Sequence, residues 1–232
     1  MSARHHAHPS TLADAAFESD VFETSPASRF AVLVAARGGA ALPRREEVHA
    51  RSSAVRELVF VGRGLLRGPE RDADEDRACA IAVVENIGGG LARVAGGVRL
   101  IFRTILDDSG TIELPLPIET EGHFGDLFDA PLPSDSVEVS RLCIVADSGA
   151  LRLRMLAALV AFTAGVSTAA AGGDAYAMLG DELVRPMRRF LPLEELSPAR
   201  MLEYPTPKVP VLIRRAVLAD VGAASTDPVL YG

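Results

Sequence analysis

Between Glu46 and Leu65 the apolar positions Val48, Val55, Leu58, Val59 and Phe60 recur at helical spacing, and Gly62 and Gly64 limit how far that helix runs. The pattern then changes period. Cys79 to Val84 and Val94 to Thr104 are rich in Val, Ile and Leu, and Asn86-Ile87-Gly88-Gly89-Gly90 between them tolerates positive φ, which predicts a β-hairpin. Asp107 to Pro133 is laden with Pro and Gly and reads as a long surface excursion, a kind of segment that often carries function. Val137 to Val145 predicts another strand, ended by Ala146-Asp147-Ser148-Gly149, and a helix follows from Leu151 to Val166. The Ala-rich tract Ser167 to Gly173 reads as a small-residue connection. Ala175 to Leu179 predicts a short strand, Asp181 is placed to cap a helix running to Phe190, and Tyr204 to Ala216 predicts an extended, Pro-punctuated strand. The order αββ, loop, βαβαβ implies an α/β fold with a central mixed sheet and helices on its faces. A right-handed β-α-β crossover would set a ligand cleft beside the strand ends.

Composition narrows this picture. Residues 1–44 mix Ala, Ser, His, Pro and Gly around one apolar island, Phe30 to Ala36, and read as a flexible arm; a domain over 45–218 and a tail over 219–232 complete the expected division. A chain of 232 residues, 48% hydrophobic, buries one substantial core. Its net charge of -7 gives no attraction to phosphate backbones or anionic lipid, so nucleic acid is not an expected partner. Apolar runs such as Met155 to Val166 fall short of the roughly 20 residues of a bilayer span, and Arg4, His5, His6 and His8 lead into polar residues rather than a signal-peptide core. A cytoplasmic protein without a membrane span is therefore expected. Cys79 and Cys143 stand alone in strand-like apolar surroundings, the setting of buried reduced thiols.

The candidate chemistry lies in charges set among apolar residues. Glu138-Val139-Ser140-Arg141 opens a strand with an acid and a guanidinium three residues apart. In a regular strand these face opposite sides unless a bulge re-aims one. A buried ion costs several kcal/mol to desolvate, so each implies a partner, either an internal ion pair or a ligand. Arg99 and Arg103 share an apolar strand and one face, and two like charges there need an anion: Glu138 on a neighbouring strand, or a ligand carboxylate or phosphate. Glu70, Asp72, Asp74, Glu75 and Asp76, flanked by Arg71 and Arg77, form either a solvated acidic loop or a holder for a cationic substrate. Arg152 and Arg154, near the start of the helix after Gly149, suit an anion or simply water.

With these residues in place the chain resembles the acyl-homoserine lactone synthases and the related N-acyl amino acid synthases of the GNAT acyltransferase superfamily. The likeness runs from about Glu46 to Ile213. Glu138-Val139-Ser140-Arg141-Leu142-Cys143-Ile144 looks like the signature Glu-x-Ser-Arg-Phe-x-Val, and Gly96-Gly97-Val98-Arg99-Leu100 is similar to the Gly-x-x-Arg-Leu that precedes Pro-Thr, where this chain has Phe102-Arg103-Thr104. Arg56 and Phe60 keep an Arg-x-x-x-Phe spacing, and Glu70, Asp72 and Glu75 fit a Glu-x-Asp-x-x-Asp loop, with Asp76 as an alternative last position.

The resemblance implies a GNAT-like three-layer α-β-α sandwich whose central mixed sheet is splayed. It implies transfer of an acyl group from a thioester of acyl carrier protein or coenzyme A to an amine, that of S-adenosylmethionine in a lactone synthase, with no metal and no bound cofactor. A free amino acid as acceptor, or a non-catalytic protein that retains the fold, are the other readings. Glu138, Arg99 and Arg141 would then be catalytic. Arg56, Phe60, Glu70, Asp72, Glu75, Ser140, Arg103 and Thr104 would bind the acceptor, and Val145, Ser148, Gly149, Arg152 and Arg154 the acyl donor.

Overall fold

The computed structural model describes residues 16–18, 27–35, 45–62, 64, 74, 77–107, 110–121, 124–201, 206–223 and 230–231. Its strands are β1 (Ala16–Glu18), β2 (Phe30–Ala35), β3 (Ala78–Gly88), β4 (Leu91–Phe102), β5 (Thr104–Asp107), β6 (Gly110–Glu113), β7 (Val137–Ile144), β8 (Ala175–Gly180), β9 (Glu194–Glu195), β10 (Lys208–Ile213) and β11 (Leu230–Tyr231). The helices are α1 (Arg45–Gly62), α2 (Pro117–Thr120), α3 (Gly149–Ala170), α4 (Asp181–Met187) and α5 (Arg215–Ala223), with a 3-10 turn at Gly125–Leu127.

Nine strands form one sheet in the order β11-β2-β3-β4-β7-β8-β10-β9, with β1 also paired to β4, while β5 and β6 make a separate hairpin. All pairings are antiparallel except β7 with β8, so the sheet is mixed. Phe30–Ala35, which composition assigns to the flexible arm, is thus a sheet strand paired with β3, and β11 from the tail pairs with it in turn. The apolar run Phe-Ala-Val-Leu-Val-Ala outweighs the polar residues around it because β3 offers an open edge.

One face of the sheet carries Cys79, Ile81, Val83, Val98 and Leu100 against α3, whose Leu151, Met155, Leu159 and Ala164 are buried there, and α5 packs on α3. At that second contact the helices approach so closely that a Cβ on Gly222 would lie 2.8 Å from the Gly165 backbone. The opposite face carries Ala82, Val84, Val94 and Cys143 beneath α1, and Ile101, Tyr176 and Leu212 beneath the excursion that contains α2. The result is a three-layer α-β-α sandwich. Both cysteines are buried thiols outside any disulfide, one on each face.

Several expected boundaries shift. The helix read as Leu151 to Val166 spans Gly149–Ala170, absorbing the small residues expected as a connection, since alanine favours continuation. At 22 residues with mean hydropathy 1.6, it is long and apolar enough to cross a membrane by length and composition alone, contrary to the sequence expectation. In this fold its buried residues line the main core. Asp181 begins α4 rather than capping it, and the helix ends at Met187, with Pro186 inside its last turn. The strand expected from Tyr204 to Ala216 is Lys208–Ile213, and Arg215 already belongs to α5.

Candidate active site

The site lies on the α1 face, where β4, β7 and β8 run side by side. Register places Arg99 opposite Ser140 and Ile101 opposite Glu138, so directly opposed residues share that face. Between those rungs and the Gly97–Cys143 rung β7 carries one residue more than β4. The surplus residue is absorbed at Arg141, which has φ 60, the one left-handed non-glycine residue among those described. The bulge re-aims the strand: Arg141 reaches α1 and stands over the Phe60 ring, 5.9 Å from its centroid. Glu138, Ser140 and Arg141 therefore all address one side of the sheet despite their spacing.

Gly96 and Gly97 make this packing possible. A Cβ on Gly96 would collide with the Cys143 carbonyl across the bulge, and one on Gly97 would sit 2.6 Å from the Ile81 carbonyl and 3.1 Å from Ser52 Oγ of α1. Removing both side chains lets β7 bend and α1 settle onto β4. The helix then lays Ser52, Val55 and Arg56 in the interface, with Val59 and Phe60 half-buried beyond them. Arg56 is buried and donates to Ser53 Oγ at 2.7 Å.

Glu138 is 1% exposed. Its carboxylate accepts the Ile118 backbone N–H at 2.7 Å. Burial pushes its pKa up to about 8, against the lowering effects of that N–H and of the Arg99 charge; Asp74 raises it further and Arg77 lowers it. Arg99, 3% exposed, donates from Nε to the Ser140 hydroxyl at 3.0 Å. Tyr176 of β8 is the register partner of Glu138 on the other side, buried with its ring edge-on to Phe128, and burial raises its pKa as well.

β7 and β8 pair at Val137–Ala175 and Glu138–Tyr176, and their ladder then ends. Beyond Glu138 the two parallel strands part, leaving a gap between residues 139–145 and 177–180. The Val145 N–H turns away from the gap to Ala95 O at 2.7 Å, so strand alternation turns the Ile144 N–H towards it. At the mouth, Ser148 caps α3 by accepting the Leu151 N–H at 3.2 Å, Gly149 opens the helix, and Arg152 reaches back to Ala146 O at 3.4 Å. On the far side Lys208, opposite Gly180, is half-buried, and its pKa is lowered by burial, with Arg141 acting in the same direction and Glu182 against it.

Other expected residues are placed elsewhere. Arg103 lies just past the end of β4, buried, and its guanidinium is paired with Glu119 rather than with Glu138 or open to a ligand. Glu119 also accepts the Leu116 N–H at 2.7 Å and the Leu132 N–H at 2.9 Å, which folds the excursion around it. Thr104 donates to Ser134 O at 2.6 Å. Arg154 stands over Phe30 of β2, 5.9 Å from the ring centroid, so it is separated from the gap by β3 and β4. Glu70, Asp72, Glu75 and Asp76 lie outside the described residues. Among the described residues no group of His, Cys, Asp or Glu gathers as a metal site.

Sequence reasoning missed the Ile118 N–H, Tyr176 and Glu119. Only Leu116-Pro117-Ile118-Glu119 offered a signal, a proline at the first position of a short helix with an acid in its first turn.

Solved structures share this arrangement of the chain. A coenzyme A-dependent acyl-homoserine lactone synthase, BjaI, solved with SAM and isopentyl-CoA, superposes with a TM-score of 0.57 at 20% identity over 88% of this chain and 92% of that one. The fold is that of the acyl-homoserine lactone synthases. A second synthase of this fold, the coenzyme A-dependent MesI, gives a TM-score of 0.55 at 15% identity over 88% of this chain and 99% of its own. The synthase LasI gives 0.56 at 17% identity over 81% and 91%. ElaA of Escherichia coli gives a TM-score of 0.52 at 10% identity over 80% of this chain and 99% of that one. By sequence, neither a protein-family model nor a curated protein matches.

Proposed function

We propose that the chain is an N-acyltransferase of the acyl-homoserine lactone synthase type, which moves an acyl group from a thioester to the amine of S-adenosylmethionine. The observation that carries this reading is the Glu138 carboxyl, buried beside Arg99 where β7 and β8 begin to part. A carboxyl with a pKa near 8 is a far better base at neutral pH than an ordinary glutamate. Ionised, it takes the proton of the acceptor ammonium, directly or through water, and so frees the nitrogen lone pair. That lone pair forms the C–N bond at the thioester carbonyl; the tetrahedral oxyanion collapses, the C–S bond breaks and the thiol leaves with a proton. The Ile144 N–H, aimed into the gap, is placed to stabilise the oxyanion. The carboxylate oxygen of the acylated acceptor then forms the lactone C–O bond at the γ-carbon as the bond from that carbon to the sulfonium breaks, and methylthioadenosine leaves with the electron pair.

In this reading Arg99 and Arg141 orient the acceptor carboxylate and balance the charge of Glu138, with Ser140 fixing Arg99. Arg56 and Phe60 on α1, with Glu70, Asp72 and Glu75, recognise the remainder of the acceptor. The donor's pantetheine arm lies in the gap, with Val145, Ser148, Gly149 and Arg152 at its mouth. Both BjaI and MesI are coenzyme A-dependent synthases, which supports acyl-coenzyme A as the first donor to try and acyl carrier protein as the second. The core position of α3 supports a cytoplasmic protein without a bilayer span.

A second reading, in which a free amino acid replaces S-adenosylmethionine, is favoured by one observation: the chain contains 0 Trp, so no indole face is available to a sulfonium cation. One experiment separates these. Purified protein is incubated with S-adenosylmethionine or amino acids and with acyl-coenzyme A or acyl carrier protein donors of graded chain length, while free thiol is followed and products are weighed by mass spectrometry. Thiol release coupled to acyl-homoserine lactone and methylthioadenosine is the expected result. Acyl amino acid without lactone would replace the acceptor, and the absence of thiol release with every pair would remove the enzymatic reading.

A further inference from the structure

Arg77 sits outside every role assigned so far, yet it joins three segments around the site. It immediately precedes β3, and its side chain is 8% exposed. Nε and Nη2 both donate to the Asp74 carboxylate, at 2.8 and 2.5 Å. Nη1 donates to Phe102 O at the end of β4 and to Leu114 O, at 3.4 and 3.2 Å, and Nη2 also donates to Pro115 O at 2.5 Å. One planar guanidinium thus fastens Asp74 of the acidic stretch, the last residue of β4 and the strand-like lead into α2. A planar fork with fixed donors suits this, whereas a lysine ammonium on a flexible stem cannot hold the same partners together.

The fastened lead ends at Glu138. Leu114 and Pro115 are followed by Leu116, whose N–H is held by Glu119, and then by Ile118, whose N–H donates to the Glu138 carboxylate at 2.7 Å. Arg77 and Glu119 therefore fix two points on the peptide that delivers this N–H into the buried site. Glu119 is itself held by Arg103. We propose that Arg77 is a positioning residue for Glu138, coupling Asp74 to the Leu114–Ile118 strap that presents the Ile118 N–H to the carboxyl. The proposal deepens the reading of Glu138 as the base. Its physical content, the delivery of one N–H, stands apart from whether acyl transfer occurs.

Loss of that N–H removes a donor that favours the ionised carboxylate, so Glu138 titrates higher when the strap loosens. Around the carboxyl stand Arg99 on β4, Asp74 and Arg77 beside β3, and Tyr176 on β8, and any titration is read against them. Arg77→Lys keeps the positive charge and discards the fork. If Arg77 acts only by its charge, this variant titrates as wild type does; if it acts by holding the strap, the titration moves up.

The test is infrared titration of the buried carboxyl in the full chain, assigned by its disappearance in Glu138→Gln, for wild type and Arg77→Lys. The expected result is an upward move of about one pH unit, with roughly ten-fold less ionised carboxylate near neutrality. Where transfer is measurable, kcat falls by a similar factor with KM for the thioester unchanged. Superimposable titrations in the two proteins would overturn the proposal. Should Arg77→Lys not fold, Arg77→Gln is read by hydrogen exchange, comparing the Ile118 amide with the Val145 amide held by β4. Faster exchange at Ile118 alone upholds the coupling, and unchanged protection of Ile118 overturns it. Because neither the titration nor the exchange needs substrate, an inactive wild type would sink the proposed function and leave this inference to be judged separately.

Discussion

Arg99 and Ser140 meet across the β4–β7 ladder, Nε to hydroxyl at 3.0 Å, on the rung immediately before β7 gains its surplus residue at Arg141. That contact pins a buried guanidinium against the strand that carries Glu138. Just past it the bulge turns a third polar side chain onto the same face.

Replacing Glu138 by Gln keeps the shape and the Ile118 contact but removes the base. Acyl transfer is expected to fall by roughly 100- to 10,000-fold. In wild type, kcat/KM is expected to climb with pH through about 8, as the carboxyl ionises. A pH-independent rate between 6 and 9 would argue against Glu138 as the base.

The same carboxyl has a consequence for stability. Its folded pKa lies above the ordinary 4.5, so between 4.5 and about 8 the native chain binds more proton than the unfolded one, and stability falls as pH rises through that window. The loss is on the order of a few kcal/mol. Urea unfolding at pH 5.5 and 8.5 should show it in wild type, and Glu138→Gln should flatten it.

Arg141 separates conformation from contact. A non-glycine residue in the left-handed region costs about 1–2 kcal/mol, so Arg141→Gly should be more stable than Arg141→Ala by about 1 kcal/mol, although both lose the Phe60 contact. Denaturant midpoints rank the pair. If Ala proves the more stable, the bulge is not strained at this residue.

Gly97→Ala places a methyl 2.6 Å from the Ile81 carbonyl and against Ser52 of α1. Overpacking of this kind costs about 1–3 kcal/mol. Because it also pushes α1 from the sheet, KM for the acceptor should rise more than KM for the thioester. Unfolding curves and steady-state kinetics with each substrate varied in turn check both halves.

The readable part of this protein was local. The period change from α1 to β3, the Gly88–Gly90 turn, the β7-turn-α3 unit and the charges of Arg99, Glu138 and Arg141 could be found in the sequence, because period, turn chemistry and ions in apolar runs are properties of short windows. Phe30–Ala35 and α5 were less legible, since one needs the open edge of β3 and the other the surface of α3 to become worthwhile.

Sequence by itself determined which residues carry charge into the core and that a strand-turn-helix follows them. Tertiary structure alone decided that Glu138, Ser140 and Arg141 share a face, because the bulge depends on Gly96 and Gly97 across the ladder. It decided too that Arg103 belongs to Glu119 and that Ile118 supplies the N–H for Glu138. Partners distant along the chain are chosen by which backbone group packing brings within reach of a buried ion, and no local pattern encodes that distance.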